Sequence, residues 1–264
     1  MARSRDGLRD VPSAVRKVGI MRRIVIIGAT SLIAQHVLRQ WLGTTGAEVH
    51  LVGRDADRLE AVARDLAVRS PESTLEAHAV DVLDLDAVET LAAELTAQPL
   101  DLVLIAHGTL PSQSECQSDR SLAARTMLVN GNSVALCAEA FVARMDHARA
   151  ASVVVIGSVA GDRGRRTNYV YGAAKALVAT YVEGLQHRLA GRPLRVVLVK
   201  PGPTATPMTS GLGMPRLARP EDVAREIVRG VERGAAVIYA PRAWQVIMLV
   251  IRHLPRIVFD RLSI

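Results

Sequence analysis

The chain has 264 residues, 49% hydrophobic but only 3% aromatic, with 33 basic and 26 acidic residues and a formal charge of +7. That length suits one large α/β domain, and a core of Val, Leu, Ile and Ala suits parallel strands covered by helices on both faces. The charge is local: residues 1–23 carry net +5 and residues 242–264 net +3, so the body is close to neutral at −1, which excludes a basic nucleic-acid surface.

Residues 1–20 are polar and arginine-rich without a long apolar run, so they read as neither a secretory signal nor a membrane span, and a disordered extension is expected ahead of Met21. From there β-branched runs alternate with helical patterns. Strands are predicted at 24–27, 49–52, 77–80, 102–105, 153–156, 195–199 and 236–239. Helices are predicted from the first turn to about Trp41, then over 57–68, 86–95, 121–145, 171–189 and 221–232. Strands separated by helices predict a parallel, doubly wound α/β sheet of about seven strands in a single domain, with ligand bound beyond the strand C-terminal ends. Cys116 and Cys137 make no disulfide framework and have no metal-ligand spacing, which fits a reducing cytoplasm, and no metal is expected.

Gly28 closes the first strand, and Thr30, Ser31, Leu32, Ile33 and Ala34 lead into the first helix, where a pyrophosphate can meet backbone N–H groups and the positive end of a helix dipole. A capped strand-to-helix turn explains the same residues. After the second strand stands Gly53-Arg54, where an acid would otherwise meet a ribose 2′-hydroxyl; glycine removes the acid and Arg54 can meet a 2′-phosphate, which favours NADPH over NADH. The alternative is that Arg54 pairs with Asp55 or Asp57. Asp81, followed by Val82, is placed to accept from adenine. Ala106-His107-Gly108 reads as a tight turn beside the cofactor, with His107 a turn histidine rather than a base.

The most telling residues are Tyr171 and Lys175, four apart and so on one helix face, with Ser158 thirteen positions earlier. Lysine is rare here, at Lys17, Lys175 and Lys200 only. A neighbouring ammonium favours phenolate and is expected to pull the phenol pKa towards working pH. Tyr169 has Ala173 four residues on and reads as packing or pocket wall.

These elements resemble, in order, those of the short-chain dehydrogenase/reductase family over residues 21–240: the Gly28 turn, Asp81, the Gly108 turn, Asn130, Ser158, Tyr171 with Lys175, and Pro201-Gly202 with Thr206. The resemblance implies a Rossmann-type sheet and NAD(P)H-dependent reduction of a ketone. It implies Tyr171 as general acid, Lys175 as the group that tunes it and holds the nicotinamide ribose, and Ser158 as hydrogen-bond partner of the carbonyl oxygen. Asn130 would orient a water, and Thr206 with the backbone of 199–203 would hold the carboxamide. Dimers or tetramers are typical of the family, so a homo-oligomer is expected. Leu32, Ala34 and Ile105-Ala106-His107-Gly108 depart from the family's glycine loop and Asn-Asn-Ala-Gly turn.

The loop 157–172 and the tail from Tyr239 resemble the family's reductases for a polyprenyl-phosphate-linked 2-keto-pentose, precursor of an arabinofuranose donor for cell-wall synthesis. On that loop Arg163, Arg165 and Arg166 could grip a phosphodiester, or remain solvated. The tail 241–264 is amphipathic: an apolar run from Trp244 to Ile251 flanked by Arg242, Arg252, Arg256 and Arg261. It could lie at the inner face of a membrane with Trp244 and Phe259 as anchors, or be buried on the domain or another subunit. A lid is expected over 204–220. Other readings are a reductase for a soluble or acyl-chain ketone and a non-catalytic dinucleotide-binding redox sensor, which would need only the nucleotide end.

Overall fold

The computed structural model describes residues 22–43, 46–210 and 216–262. The expected extension over 1–20 therefore lies outside the described residues, as do residues 211–215 of the expected lid. Seven strands, β1 (Arg22–Ile27), β2 (Ala47–Gly53), β3 (Thr74–Ala79), β4 (Leu102–Ile105), β5 (Ala151–Ile156), β6 (Leu194–Pro201) and β7 (Val237–Ala240), form one sheet in the order β3-β2-β1-β4-β5-β6-β7. Every pairing is parallel. The order reverses between β1 and β4, and the connections that leave these two strands run to opposite faces, leaving a crevice at the strands' C-terminal ends.

Both faces are covered. Val25, Val103, Val153 and Val196 point to one side, where α3 (Leu85–Thr96), α6 (Ser133–Arg144) and α7 (Tyr169–Arg188) bury Leu91, Phe141 and Val182. Ile24, Leu104, Val154 and Val197 point to the other, with α1 (Leu32–Leu42), α2 (Ala56–Arg69) and α8 (Pro220–Glu232) supplying Val37, Leu59 and Ile227. Because neighbours along each strand serve opposite cores, the central strands are apolar at nearly every position. Ser31, Asp55 and Asp84 each accept a hydrogen bond from a first-turn N–H, which fixes where the first three helices start.

The helix expected over 121–145 is interrupted. A short α4 (Gln113–Ser118) precedes α5 (Arg120–Met127), and a π-helical segment, Leu128–Asn132, joins α5 to α6. Asp119 starts α5 by accepting from Ser121 and Leu122 N–H. The tail forms α9 (Ala243–His253) and α10 (Arg256–Phe259), with Met248 buried and most other apolar residues of α9 exposed.

A buried ion pair fastens the segment after β5 to the far edge of the sheet. Asp162 Oδ1 lies 2.5 Å from Lys200 Nζ on β6, and Tyr239 on β7 donates to Asp162 Oδ2 at 2.8 Å. Both charges are shielded from water, so removing one strands the other. Asp162→Ala is expected to cost about 3–5 kcal/mol in denaturant unfolding; a loss below about 1 kcal/mol would show that water reaches Lys200.

Candidate active site

A cleft of about 670 Å³ opens where β1 and β4 part. Gly28 closes β1 with φ +80°, and a Cβ there would stand 2.5 Å from the backbone nitrogen of His107, so the turns after β1 and β4 touch and no side chain fits between them. Thr30, Ser31, Leu32 and Ile33 line the floor, with the Ser31 cap of α1 facing the opening. Gly53, Arg54, Asp81 and Val82 form one end, and Gly108, Pro201, Gly202 and Thr206 the wall opposite. Arg58 also lines this end, a second guanidinium that the sequence analysis did not single out. Among the described residues neither Asp55 nor Asp57 forms an ion pair with Arg54; Asp55 instead accepts from the Arg58 backbone N–H. Asp81 Oδ1 accepts from Leu83 N–H, which sets the turn after β3.

Ser158 and Tyr171 meet because two glycines let their segments touch. Ser158 caps the one-turn helix Val159–Gly161, accepting from Ala160 N–H at 3.1 Å. A Cβ on Gly161 would stand 2.7 Å from the Lys175 carbonyl, and one on Gly172 would stand 2.9 Å from the Ala160 carbonyl oxygen. With both absent, the turn lies directly on α7, which brings the Ser158 hydroxyl to the Tyr171 side chain, where it acts to lower the phenol's pKa. Lys175, 3% exposed, lies one turn below. Its Nζ donates to the Ile156 carbonyl at 2.9 Å and stands 5.8 Å from the centre of the Tyr171 ring.

The electrostatics differ from the expectation that Lys175 would pull the phenol towards neutral pH. Burial pushes Tyr171 up to about 12, opposed only by the neighbouring Ser158 hydroxyl, and burial brings Lys175 down to about 8. The ammonium is hydrogen-bonded to Ile156 O and stands 5.8 Å from the ring centre, and the loss of water around the phenol outweighs what it offers. The site therefore holds a neutral phenol, a proton donor, at working pH.

Asn130 sits in the π-helical segment, fully buried. Its Oδ1 accepts from Thr109 N–H at 2.9 Å and its Nδ2 donates to the Thr126 carbonyl at 2.9 Å, while a Cβ on Gly108 would stand 2.6 Å from that Oδ1. The side-chain amide is thus spent on shaping the Gly108-Thr109 turn. His107 is a turn histidine with half its capacity used. Its Nε2 lies 2.9 Å from Ser133 Oγ, which donates onward to Val129 O, so Nε2 carries the proton and Nδ1 is left bare. Burial first, then the Lys175 charge, lowers His107 to about 3.

The substrate residues named from the sequence separate. Arg165 lines the cleft. Arg163 does not: it donates to the carbonyls of Ile251 and Leu254 and lies 3.7 Å over the Phe259 ring, so it clamps the tail to the loop instead of facing a phosphodiester. Arg166 is exposed and outside the cleft lining. Tyr169 also stands outside it, its hydroxyl accepting from Gln117 at 3.2 Å. Of the cofactor candidates, Ala106 and Lys175 lie beneath the cleft surface and do not line it. Trp244 packs over Gly202 and Phe259 under Arg163, so neither aromatic is a free anchor.

Four buried side-chain atoms without a hydrogen-bond partner, His107 Nδ1, Gln113 Nε2, Arg165 Nε and Asn168 Oδ1, belong to residues that line this one cleft. Stranded polar atoms are costly unless a ligand completes them. The Gly28 cradle, the helix N-terminus, and Arg54 with Arg58 fit a dinucleotide phosphate.

The Lys175 charge should be visible in stability. Its folded pKa is depressed from 10.5 to about 8, so the unfolded chain holds the proton more tightly between those values and stability rises with pH there. Relative to Lys175→Met, the wild type should gain about 2–3 kcal/mol from pH 7 to 10; a pH-independent difference would contradict the burial cost.

Residues 22–215 match the short chain dehydrogenase family. An uncharacterized oxidoreductase of Mycobacterium tuberculosis is 32% identical, the match covering 90% of this chain and 96% of that protein. One of Streptomyces coelicolor is 29% identical, covering 93% and 98%. Among solved structures, a Burkholderia cenocepacia short chain dehydrogenase in complex with NADP superposes with TM-score 0.77 at 19% identity, covering 92% of this chain and 98% of that one. A Sphingobium yanoikuyae short-chain dehydrogenase in complex with NADPH also gives 0.77, at 24% identity, covering 89% and 97%. The chain is a member of the short-chain dehydrogenase/reductase family, an NAD(P)-dependent oxidoreductase.

Proposed function

We propose that the chain reduces a ketone to a secondary alcohol with NADPH, Tyr171 delivering the proton. The observation that carries this is that Ser158 and Tyr171 line one cleft together with the Gly28 turn and Arg54, with Lys175 buried one turn along α7 from Tyr171. When bound, the dihydronicotinamide supplies a hydride to the carbonyl carbon. Tyr171 gives its proton to the carbonyl oxygen as charge develops there, and a phenol at about 12 remains far more acidic than an alcohol, so the transfer is downhill. Ser158 donates to the same oxygen. Lys175 repels its own burial least when a phenolate forms beside it, so it stabilises Tyr171 after the proton has left. Asn130 positions the turn that borders the site, and Arg54 with Arg58 would hold a 2′-phosphate, consistent with NADP and NADPH in the two structural neighbours.

For the substrate we propose a polyhydroxylated, anionic ketone, with a polyprenyl-phosphate-linked 2-keto-pentose as the specific candidate. Gln113, Arg165 and Asn168 put polar side chains on the cleft lining, a set that suits sugar hydroxyls and a phosphodiester better than a plain hydrocarbon. The neighbour from Comamonas testosteroni, a bulky-bulky ketone specific alcohol dehydrogenase, supports a ketone without specifying which.

A lipid-linked substrate also gives the tail a purpose. Val246, Leu249, Val250 and Ile257 are all more than half exposed, and the tail that carries them has Arg242, Arg252, Arg256 and Arg261 against one acid of its own, Asp260. We assign this face to an anionic membrane surface, because a second copy related by a two-fold axis would set arginines against arginines.

Tyr171→Phe should lower turnover at least 1000-fold, a loss of about 4 kcal/mol in transition-state stabilisation, while NADPH binding by fluorescence changes less than about twofold; near-wild-type turnover would end the assignment. Arg54→Ala should weaken NADPH at least tenfold and leave NADH unchanged. NADPH oxidation should follow addition of the lipid-linked keto-sugar and not of simple ketones; the reverse preference would favour a soluble or acyl-chain ketone, and none with any ketone a redox sensor. In flotation, the chain should rise with anionic but not neutral liposomes, and truncation after Pro241 should abolish this; equal recovery of both forms would overturn the membrane assignment.

A further inference from the structure

A second constellation lies outside the cleft, on the face of the sheet that α3 covers. The parallel register sets His50 of β2 opposite Glu76 of β3 and Val52 opposite His78, and alternate residues of a strand share a face, so the three side chains converge. His50 Nδ1 lies 3.0 Å from His78 Nε2 and 3.4 Å from Glu76 Oε2, and His78 Nε2 lies 3.8 Å from Glu76 Oε1. Zinc bonds of 2.0–2.1 Å in a tetrahedron hold ligand atoms roughly 3.3–3.4 Å apart, near the spacing of the two ring nitrogens here, with both Glu76 oxygens within 4 Å of one or other ring.

The surroundings select the metal-competent ring state. His50 is buried, and its other nitrogen, Nε2, lies 3.0 Å from Glu48 Oε1, a carboxylate that can only accept; Nε2 therefore carries the proton and Nδ1 presents a lone pair. A carboxylate behind the ring is the usual outer partner of a metal-bound histidine. Arg23 donates to the same Glu48 oxygen at 2.8 Å and so fixes the carboxylate, although its second nitrogen, 3.2 Å from His50 Nε2, adds positive charge to the neighbourhood. Two imidazole nitrogens and a carboxylate then face one point. A single shared N–H···N proton would serve the two rings and leave Glu76 turned towards a bare lone pair; a divalent cation serves all three.

We propose that His50, Glu76 and His78 form a zinc site with two nitrogen ligands, one carboxylate ligand and a fourth position open to water. The proposal is independent of the reductase reading. Its place in the fold suggests its effect: the ligands join the edge strand β3 to β2 just before Val80 N–H donates to Gly53 O at 2.8 Å, where the chain turns out to Arg54 and Asp81. A bound ion would therefore pin the sheet edge that supports the nucleotide end of the cleft.

The test is calorimetric titration of Zn²⁺ into untagged full-length protein, stripped with chelator and then dialysed at pH 7.5, with thermal unfolding recorded at each ratio. One Zn²⁺ per chain is expected, with a raised unfolding temperature. His78→Ala and Glu76→Gln, both at partly or fully exposed positions, should each weaken binding at least tenfold and abolish the thermal shift while the far-ultraviolet circular dichroism stays native. Wild-type protein that binds Zn²⁺ no more tightly than these variants would overturn the proposal and leave a proton-bridged histidine pair.

Discussion

A lysine ammonium held away from water sets the terms for the mouth of the sheet. Lys175 has the Ile156 carbonyl as its fixed acceptor, and its own acidity, that of His107 and the neutrality of Tyr171 all follow from burial in the same small volume. Low-dielectric surroundings make each charge expensive, so the ligand-free site keeps as few as it can. The cost becomes useful in reduction, since a charge that is poorly solvated beforehand gains most when an opposite one appears beside it.

The fold exists to bring these groups into contact. Parallel strands with two hidden faces need apolar residues throughout, which frees the strand ends for chemistry. At those ends small residues decide what can meet: Gly28 against His107, Gly108 against Asn130, and Gly161 and Gly172 between the Ser158 turn and α7. The buried Asp162–Lys200 pair and the Arg163 clamp extend this order outwards, joining the Ser158–Tyr171 loop to the sheet edge and the C-terminal helix. A structural event at the tail thus has a path of direct contacts to the active-site loop.

Much of this was legible in the sequence. Alternation of β-branched runs with helical periods gave all seven strands, because a strand buried on both sides leaves a continuous apolar signature, and the Tyr171–Lys175 spacing survived because a helix turns a four-residue interval into a shared face. The π-helical break at Leu128–Asn132 was not legible, since its residues suit an α-helix equally well and the tertiary contacts of Asn130 select the wider turn. Arg163 and Arg165, two positions apart on one loop, had opposite fates that only the position of the tail determines. The sign of the Tyr171 shift was misjudged because spacing conveys the neighbour but not the loss of water. The His50, Glu76 and His78 cluster escaped notice for a different reason: its ligands come from two strands, and their meeting depends on register.

The most direct test of the central claim is the ionisation of Tyr171 itself. With ring-labelled tyrosine, its resonance assigned through Tyr171→Phe, an NMR pH titration of the ligand-free protein should show the phenol still protonated at pH 10. A midpoint between pH 7 and 9 would contradict the account, since the ammonium would then be acting on a phenolate already present before any ketone arrives.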